Sequence, residues 1–228
     1  DAGGAHPALP LRPQGGVSAP APPPLTPDAL QTMLALDDGV MAKLARYVAM
    51  LEDWQTRLNL VARSTLDDPW RRHVLDSAQL HRFVPEGART LVDLGAGAGF
   101  PGLVLAMMGV PAVTLVEARR KKCRFLEAVA AATDTPVTVL PVRAETLGGP
   151  PVDVVTARAL APLDELLRLS RHLVGSATTC LFLKGERVEA ELTEARARWM
   201  MTMSKHASLS HAHGVLLEIR DVHARAGG

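Results

Sequence analysis

The segment Leu91-Val92-Asp93-Leu94-Gly95-Ala96-Gly97-Ala98-Gly99-Phe100-Pro101-Gly102 has the residue types and spacing best suited to chemistry. A short apolar strand runs into Gly95, Gly97 and Gly99, and Pro101 opens a helix behind them. Glycines let a backbone turn sharply and approach a ligand closely at the carboxyl end of a first strand. The G-x-G-x-G spacing differs from the G-x-G-x-x-G of dinucleotide loops, and Asp93 stands just before the first glycine. A dinucleotide loop turns helix-terminal N–H groups toward a pyrophosphate. An acid there repels that anion but suits the cationic methionyl amine of S-adenosylmethionine. Asp93, Gly95, Ala96, Gly97, Gly99 and Phe100 are therefore cofactor-binding candidates, against the alternative of a glycine-rich turn with no ligand. Glu117 closes Val113-Thr114-Leu115-Val116-Glu117, where a second-strand carboxylate would hold a ribose diol. An acid at a strand end is common, and this one gains meaning only beside the glycine loop.

Cations crowd the same side of the sequence pattern. Arg119-Arg120-Lys121-Lys122-Cys123-Arg124 begins the following helix, where each positive charge opposes the helix dipole by roughly 0.3–1 kcal/mol. An anionic partner such as RNA phosphate explains that placement, and a merely exposed basic turn is the alternative. Arg143-Ala144-Glu145, Thr156-Ala157-Arg158-Ala159 and Leu183-Lys184-Gly185 end three later strands. Ligands of open parallel sheets sit outside the carboxyl ends of the strands, so these cations point to a polyanion beside the cofactor. Singly, each could be a structural salt bridge. His211 and His213 alternate on an expected strand without a third ligand, so they count as surface and no metal site is expected. Met200, Met201 and Met203 suit core and interface filling. No Ser-His-Asp or paired-carboxylate spacing appears, so no general base is assigned.

The elements that must position these residues follow from periodicity. Residues 1–25 are rich in Pro, Gly and Ala with almost no large apolar side chains, so a flexible tail is expected. A start at Asp1 instead of Met suits a processed, truncated or mis-started N-terminus. Residues 26–88 form a helical extension: Thr26, Pro27 and Asp28 read as a cap and first turn. Apolar residues at helical spacing run from Val40 to Val61, and another helix covers about Asp67 to Phe83. Residues 89–224 alternate strand and helix, with strands at Thr90–Leu94, Val113–Glu117, Val137–Val142, Val152–Ala157 and Thr179–Leu183. Helices are expected at Gly102–Met108, Arg119–Ala132, Leu163–His172 and Val188–Arg198. Strands near Met200–Ser208 and Gly214–Val222 follow with no helix between them. The pattern is a Rossmann-like α/β fold, a mostly parallel seven-stranded sheet with an antiparallel C-terminal strand and helices on both faces.

Composition excludes little but bounds much. With 228 residues and 47% hydrophobic content the chain can bury a substantial core. The net charge of +1 means that a nucleic-acid partner must be met by a local patch. Cys123 and Cys180 lie far apart in apolar contexts, as reduced core residues of a cytoplasmic protein. No apolar run is long enough to span a bilayer, and the expectation is a monomer.

Together these segments resemble the bacterial small-subunit ribosomal RNA (guanine-N7) methyltransferases, the glucose-inhibited division protein B family, over about residues 35–222. The matching stretches are Trp54…Asn59-Leu60, Arg72-His73-Val74-Leu75-Asp76-Ser77, the glycine loop through Gly102, Arg124-Phe125-Leu126, Arg143-Ala144-Glu145, Ala157-Arg158-Ala159 and Leu183-Lys184-Gly185. The resemblance implies a class I S-adenosylmethionine-dependent enzyme that methylates N7 of a guanine in 16S ribosomal RNA, on the free RNA or a subunit assembly intermediate. It places Gly95 and Phe100 against the cofactor, Glu117 on its ribose, and Ala144 and Glu145 at the adenine. Arg158 would lie beside the methyl-transfer site, against cofactor and substrate, as a positioning group. Lys121, Lys122, Arg143 and Lys184 would face RNA, joined by Arg119 and Arg120. Family members usually carry small residues where this chain has Arg119 and Arg120, and often an Arg near His213. The alternatives are methylation of a protein or small molecule, and a non-catalytic RNA-binding assembly factor on the same fold. A nicotinamide dehydrogenase is disfavoured by the loop spacing and by Asp93.

Overall fold

The computed structural model describes residues 22–225. Seven strands form one sheet in the order β3-β2-β1-β4-β5-β7-β6. They are β1 (Leu91–Leu94), β2 (Val113–Val116), β3 (Val137–Leu140), β4 (Val154–Arg158), β5 (Thr179–Lys184), β6 (Trp199–Ala207) and β7 (Val215–Ala224). The first five are mutually parallel, and β7 runs antiparallel between β5 and β6. Strand order reverses at β1, whose neighbours are β2 and β4. A crevice opens at such a switch point, beyond the carboxyl ends of the strands. In register, Leu94 faces Val116 on one side and Ala157 on the other, which puts Gly95, Glu117 and Arg158 on a single edge.

Side-chain alternation assigns each strand residue to one of two cores. Leu91, Val113, Leu115, Val154, Leu181 and Leu183 join the first. Val92, Leu94, Val116, Val155, Ala157, Cys180 and Phe182 join the second. The first core is closed by α1 (Pro27–Leu34), α2 (Asp38–Gln55), α3 (Asp76–Ala78), α4 (Gly102–Met107) and α5 (Arg120–Ala132). The second lies under α6 (Leu163–Ser170) and α7 (Val188–Arg198). Between β3 and β4 the chain makes only a 3-10 turn, Ala144–Thr146. Cys123 and Cys180 are free and buried. Among the described residues no helix is long and apolar enough to cross a membrane.

In the helical extension, two helices form across the expected helical run from Thr26 to Val61. Thr26 Oγ1 caps α1 by accepting from Ala29 N, and Ala35, at φ 50°, ends it. Asp37 then caps α2 through Val40 N. The expected helix over 67–83 is a π-helical turn, Trp70–Leu75, which runs into α3 and a 3-10 turn at His81–Phe83. Nor does ordered structure begin at residue 26. Leu25 is buried, its N–H donates to Asp68 Oδ1 at 2.9 Å, and Arg71 donates to the Pro23 carbonyl. The rest of the expected tail, residues 1–21, lies outside the described residues. This extension is not a separate body, since Leu44, Tyr47 and Leu51 share a core with Phe100, Leu103 and Phe125.

Candidate active site

A cleft of about 1120 Å³ opens at the carboxyl edge of the sheet, between the glycine loop, the π-helical turn and the β6–β7 connection. That exceeds the roughly 300–1,000 Å³ typical of small-ligand pockets. Its two halves meet at β1 and β4. The glycine loop and the ends of β2 and β3 build one, while Arg72, His73, Asp76, Arg158 and Ser210 line the other.

The loop is shaped by conformations only glycine adopts easily. Gly99 has φ +100°, and a Cβ there would lie 2.7 Å from the Tyr47 hydroxyl and 3.0 Å from Leu126 Cδ2. Gly99 therefore makes room for α2 and is not among the residues that line the cleft. Gly95, at φ +66°, lies so close to Leu160 that a Cβ would come within 2.6 Å of its Cδ1. Gly95, Ala96, Gly97 and Phe100 do line the cleft.

Asp93 also departs from expectation. Its side chain points into the first core, fully buried, with Oδ2 accepting from Gly102 N at 3.0 Å and Oδ1 from the Thr156 hydroxyl at 2.8 Å. It braces β1, β4 and the start of α4, and has no open face for a cationic amine. Burial pushes its carboxyl up to about 7, although both hydrogen bonds and the Arg158 charge favour ionisation.

Glu117 stands at the end of β2 and reaches two backbone segments at once. Oε2 accepts from Gly97 N at 3.0 Å, and Oε1 from Arg119 N at 2.7 Å. It is 8% exposed and lines the cleft. Each carboxylate oxygen has two lone pairs, so one on each oxygen stays free for a hydroxyl. Ala144 is buried and Glu145 exposed on the 3-10 turn after β3, both on the cleft wall beside Glu117.

The cations divide. Arg119, Arg120, Lys121 and Arg143 are exposed, with Arg119 and Arg143 on the rim of the cleft. Lys122 is half-buried and turned inward, so that a Cβ on Gly97 would lie 3.9 Å from its Nζ. Burial lowers its pKa, against the pull of Glu117. It faces the glycine loop and lines the cleft, apart from the exposed cations of the same helix. Lys184 is engaged within the fold. Its ammonium donates to the Ala161 carbonyl at 2.9 Å and pairs with Glu191 at 2.6 Å, with 8% of the side chain exposed. Two of its three N–H donors are thus held within the fold, and the side chain also lines the cleft.

Arg158, at the end of β4, stacks over Phe100 with Cζ 5.0 Å from the ring centroid. It meets Asp76 at 3.2 Å and His73 Nδ1 at 3.2 Å. Sequence patterns assign no role to His73, Asp76, Tyr47 or Leu160. The only signal for the first two is the Arg72-to-Ser77 motif, whose meaning depends on the π-helical turn that carries it. His211 and His213 lie in the β6–β7 turn, not on a strand, with ring centroids 5.9 Å apart. Among the described residues no group of three or more His, Cys, Asp or Glu is placed to hold a metal ion. Met201 and Met203 pack on the second core, and Met200 is exposed.

Residues 40–220 match the family model described as rRNA small subunit methyltransferase G. Proteins named ribosomal RNA small subunit methyltransferase G are similar across most of the chain. That of Rhodospirillum rubrum is 47% identical, covering 87% of this chain and 99% of its own. That of Paramagnetospirillum magneticum is 48% identical, covering 86% and 96%. Two solved structures share the fold at low identity. A putative O-methyltransferase from Klebsiella pneumoniae has TM-score 0.58 and 16% identity, with 84% of this chain and 94% of that one covered. The magnesium protoporphyrin IX methyltransferase of Synechocystis PCC 6803, with bound S-adenosylmethionine, has TM-score 0.55 and 15% identity, covering 82% and 98%.

Proposed function

The chain belongs to the rRNA small subunit methyltransferase G family, and from that premise we propose that its cleft transfers a methyl group from S-adenosylmethionine to N7 of a guanine in 16S ribosomal RNA. The observation that carries this assignment is Glu117, a buried carboxylate that ties the glycine loop to the start of α5 beside a half-cleft headed by Arg158.

The residues present fit the cofactor. Gly97 offers an open face where a side chain would intrude, and Glu117 keeps a lone pair on each oxygen for the two hydroxyls of a ribose. Gly95, Ala96 and Phe100 would line the nucleoside's side of the cleft, and Ala144 and Glu145 its adenine end. When bound, S-adenosylmethionine supplies an electrophilic methyl on a sulfonium. Guanine N7 carries an in-plane lone pair and no proton, so attack requires no base from the protein. What the protein contributes is position and exclusion of water. Arg158, braced at the junction of the two halves, orients the base and leaves N7 free. The guanine must be unstacked or splayed out to present that edge, which favours folded rRNA or a partly assembled subunit. On this reading the protein works in the cytoplasm as a monomer, and the exposed cations Arg119, Arg120, Lys121 and Arg143 meet the RNA backbone.

The test is incubation with labelled S-adenosylmethionine and small subunits from a strain lacking the enzyme, followed by nucleoside mapping. Label in 7-methylguanosine of 16S rRNA is expected. Glu117→Gln replaces an acceptor with a donor facing Gly97 N–H or Arg119 N–H. It should weaken S-adenosylhomocysteine binding by about 10- to 100-fold, the range set by hydrogen bonds to a charged group. Label in protein alone, or RNA binding without release of S-adenosylhomocysteine, would overturn the assignment.

A further inference from the structure

His73 is buried at 4% exposure, with its ring stacked on Phe100 at 4.9 Å between centroids. Its two nitrogens have distinct partners. Nε2 lies 2.8 Å from Thr65 Oγ1, and that hydroxyl donates its only hydrogen to the Ala62 carbonyl at 2.6 Å. The hydroxyl can therefore only accept from the ring, so the ring proton sits on Nε2. Nδ1 is left with a lone pair, and both Nη1 and Nη2 of Arg158 approach it at 3.2 Å. Nη1 also meets Asp76 Oδ2 at 3.2 Å and the Arg72 carbonyl at 3.1 Å. Asp76 in turn is held by Gln79 Nε2 and by the Ser210 hydroxyl from the β6–β7 connection.

We propose that His73 is a positioning residue for methyl transfer: as a neutral acceptor it locks the Arg158 guanidinium, with Asp76 and the Arg72 carbonyl, into one orientation over Phe100. This rests on reading the cleft as a methyl-transfer site. A free arginine spends roughly 2 kcal/mol of side-chain entropy to hold one geometry. Here three acceptors and an aromatic face take that orientation before any substrate arrives. A neutral ring suits the task better than a second carboxylate, because it fixes the guanidinium without cancelling its charge. The Nη1 side is consumed, and no described residue accepts from Nε. The edge formed by Nε and the outer Nη2 hydrogen is what Arg158 presents to the cleft.

Two variants of the full chain separate this role from a structural one. His73→Phe keeps the ring stack and burial but has no acceptor. His73→Asn places an amide oxygen near the position of Nδ1. With His73→Phe, affinity for S-adenosylhomocysteine should stay within about threefold of wild type while kcat on small subunits falls by about tenfold or more, a loss typical of a misplaced positioning group. His73→Asn should recover most of that kcat. Nitrogen-15 NMR of His73 in the wild type should show Nε2 protonated and Nδ1 accepting a hydrogen bond, and Arg158→Met should shift Nδ1 alone. Wild-type kcat in His73→Phe, no recovery in His73→Asn, or a proton on Nδ1 would each overturn the proposal. Should the wild type not methylate rRNA while the NMR pattern holds, the positioning role falls with the assigned reaction and the arginine clamp itself stands.

Discussion

Asp93 and His73 are both buried next to Arg158, and each is held away from its charged state by burial. The consequences for stability run in opposite directions. The Asp93 carboxyl is raised from 3.8 to about 7, so the folded chain keeps a proton that the unfolded chain releases. Its contribution is full below about pH 4 and is lost as pH rises toward 7. His73 is lowered from 6.5 to about 3, by burial first and then by Arg158 and Arg72. Its contribution is present above pH 6.5 and is lost as pH falls toward 3. Between pH 4 and 6.5 the two slopes largely offset in the wild type. Asp93→Asn, which can still satisfy Gly102 and Thr156, should unmask a melting temperature that climbs with pH across that window. His73→Phe should unmask one that declines. Thermal melts of both variants at half-unit pH steps check this, and parallel slopes in all three proteins would refute it. The sequence pattern draws attention to Asp93, but as a partner for the cofactor. Which way an acid on a strand points depends on register: Leu91 faces the first core, and two residues later Asp93 does too.

At the scale of elements, α2 builds the active site from behind. Its Tyr47 hydroxyl donates to the Ala98 carbonyl in the glycine loop, and its ring stacks on Phe100 at 4.9 Å, which in turn stacks on His73. A column of three rings thus runs from the helical extension to the arginine of β4. Tyr47→Phe keeps the column and strands a buried carbonyl, so it should cost about 1–3 kcal/mol and loosen the loop. Gly99→Ala should cost about 1–3 kcal/mol through its left-handed backbone, plus the clash with the Tyr47 hydroxyl at 2.7 Å. The double variant should be more stable than the sum predicts, because Tyr47→Phe removes the atom that the new methyl meets. A denaturant-unfolding cycle on the four proteins measures that coupling, and strict additivity would place the clash elsewhere. Periodicity reveals α2 and its apolar face. It cannot reveal that this face meets the glycine loop, since the hydrogen bond joins residues 51 positions apart.

Across the whole molecule a net charge of +1 conceals an uneven distribution. Arg120, Lys121 and Arg124 are exposed on α5, with Arg119 and Arg143 on the cleft rim nearby. Charge reversal at Arg120 and Lys121 should leave S-adenosylhomocysteine affinity unchanged and weaken binding to rRNA. The slope of log K against log salt should flatten by about 0.7–0.9 for each phosphate that is no longer neutralised. Lys184→Met should behave differently. It strands the Glu191 carboxylate, lowers the melting temperature and leaves the salt slope as it was, because its ammonium is already paired inside the fold. Filter binding across a salt series distinguishes the two. An unchanged slope in the α5 variant would remove that helix from the RNA-facing surface.

The sequence alone determined what local rules control. Short apolar runs between helical stretches marked the strands, Thr26 marked a helix start, and the glycine spacing with Glu117 pointed to the carboxyl edge of β1 and β2. The helix Val188–Arg198 was legible to the residue. Only tertiary structure decided which partner each charged group meets. Lys184 turns to Glu191, Asp93 to Gly102 and Thr156, and Arg158 to His73 and Asp76 from the helical extension. A charge at a strand end has the same local signature whether it meets a ligand or a buried partner. The choice rests on interactions between segments far apart in the chain, and their energies exist only once the two cores have closed.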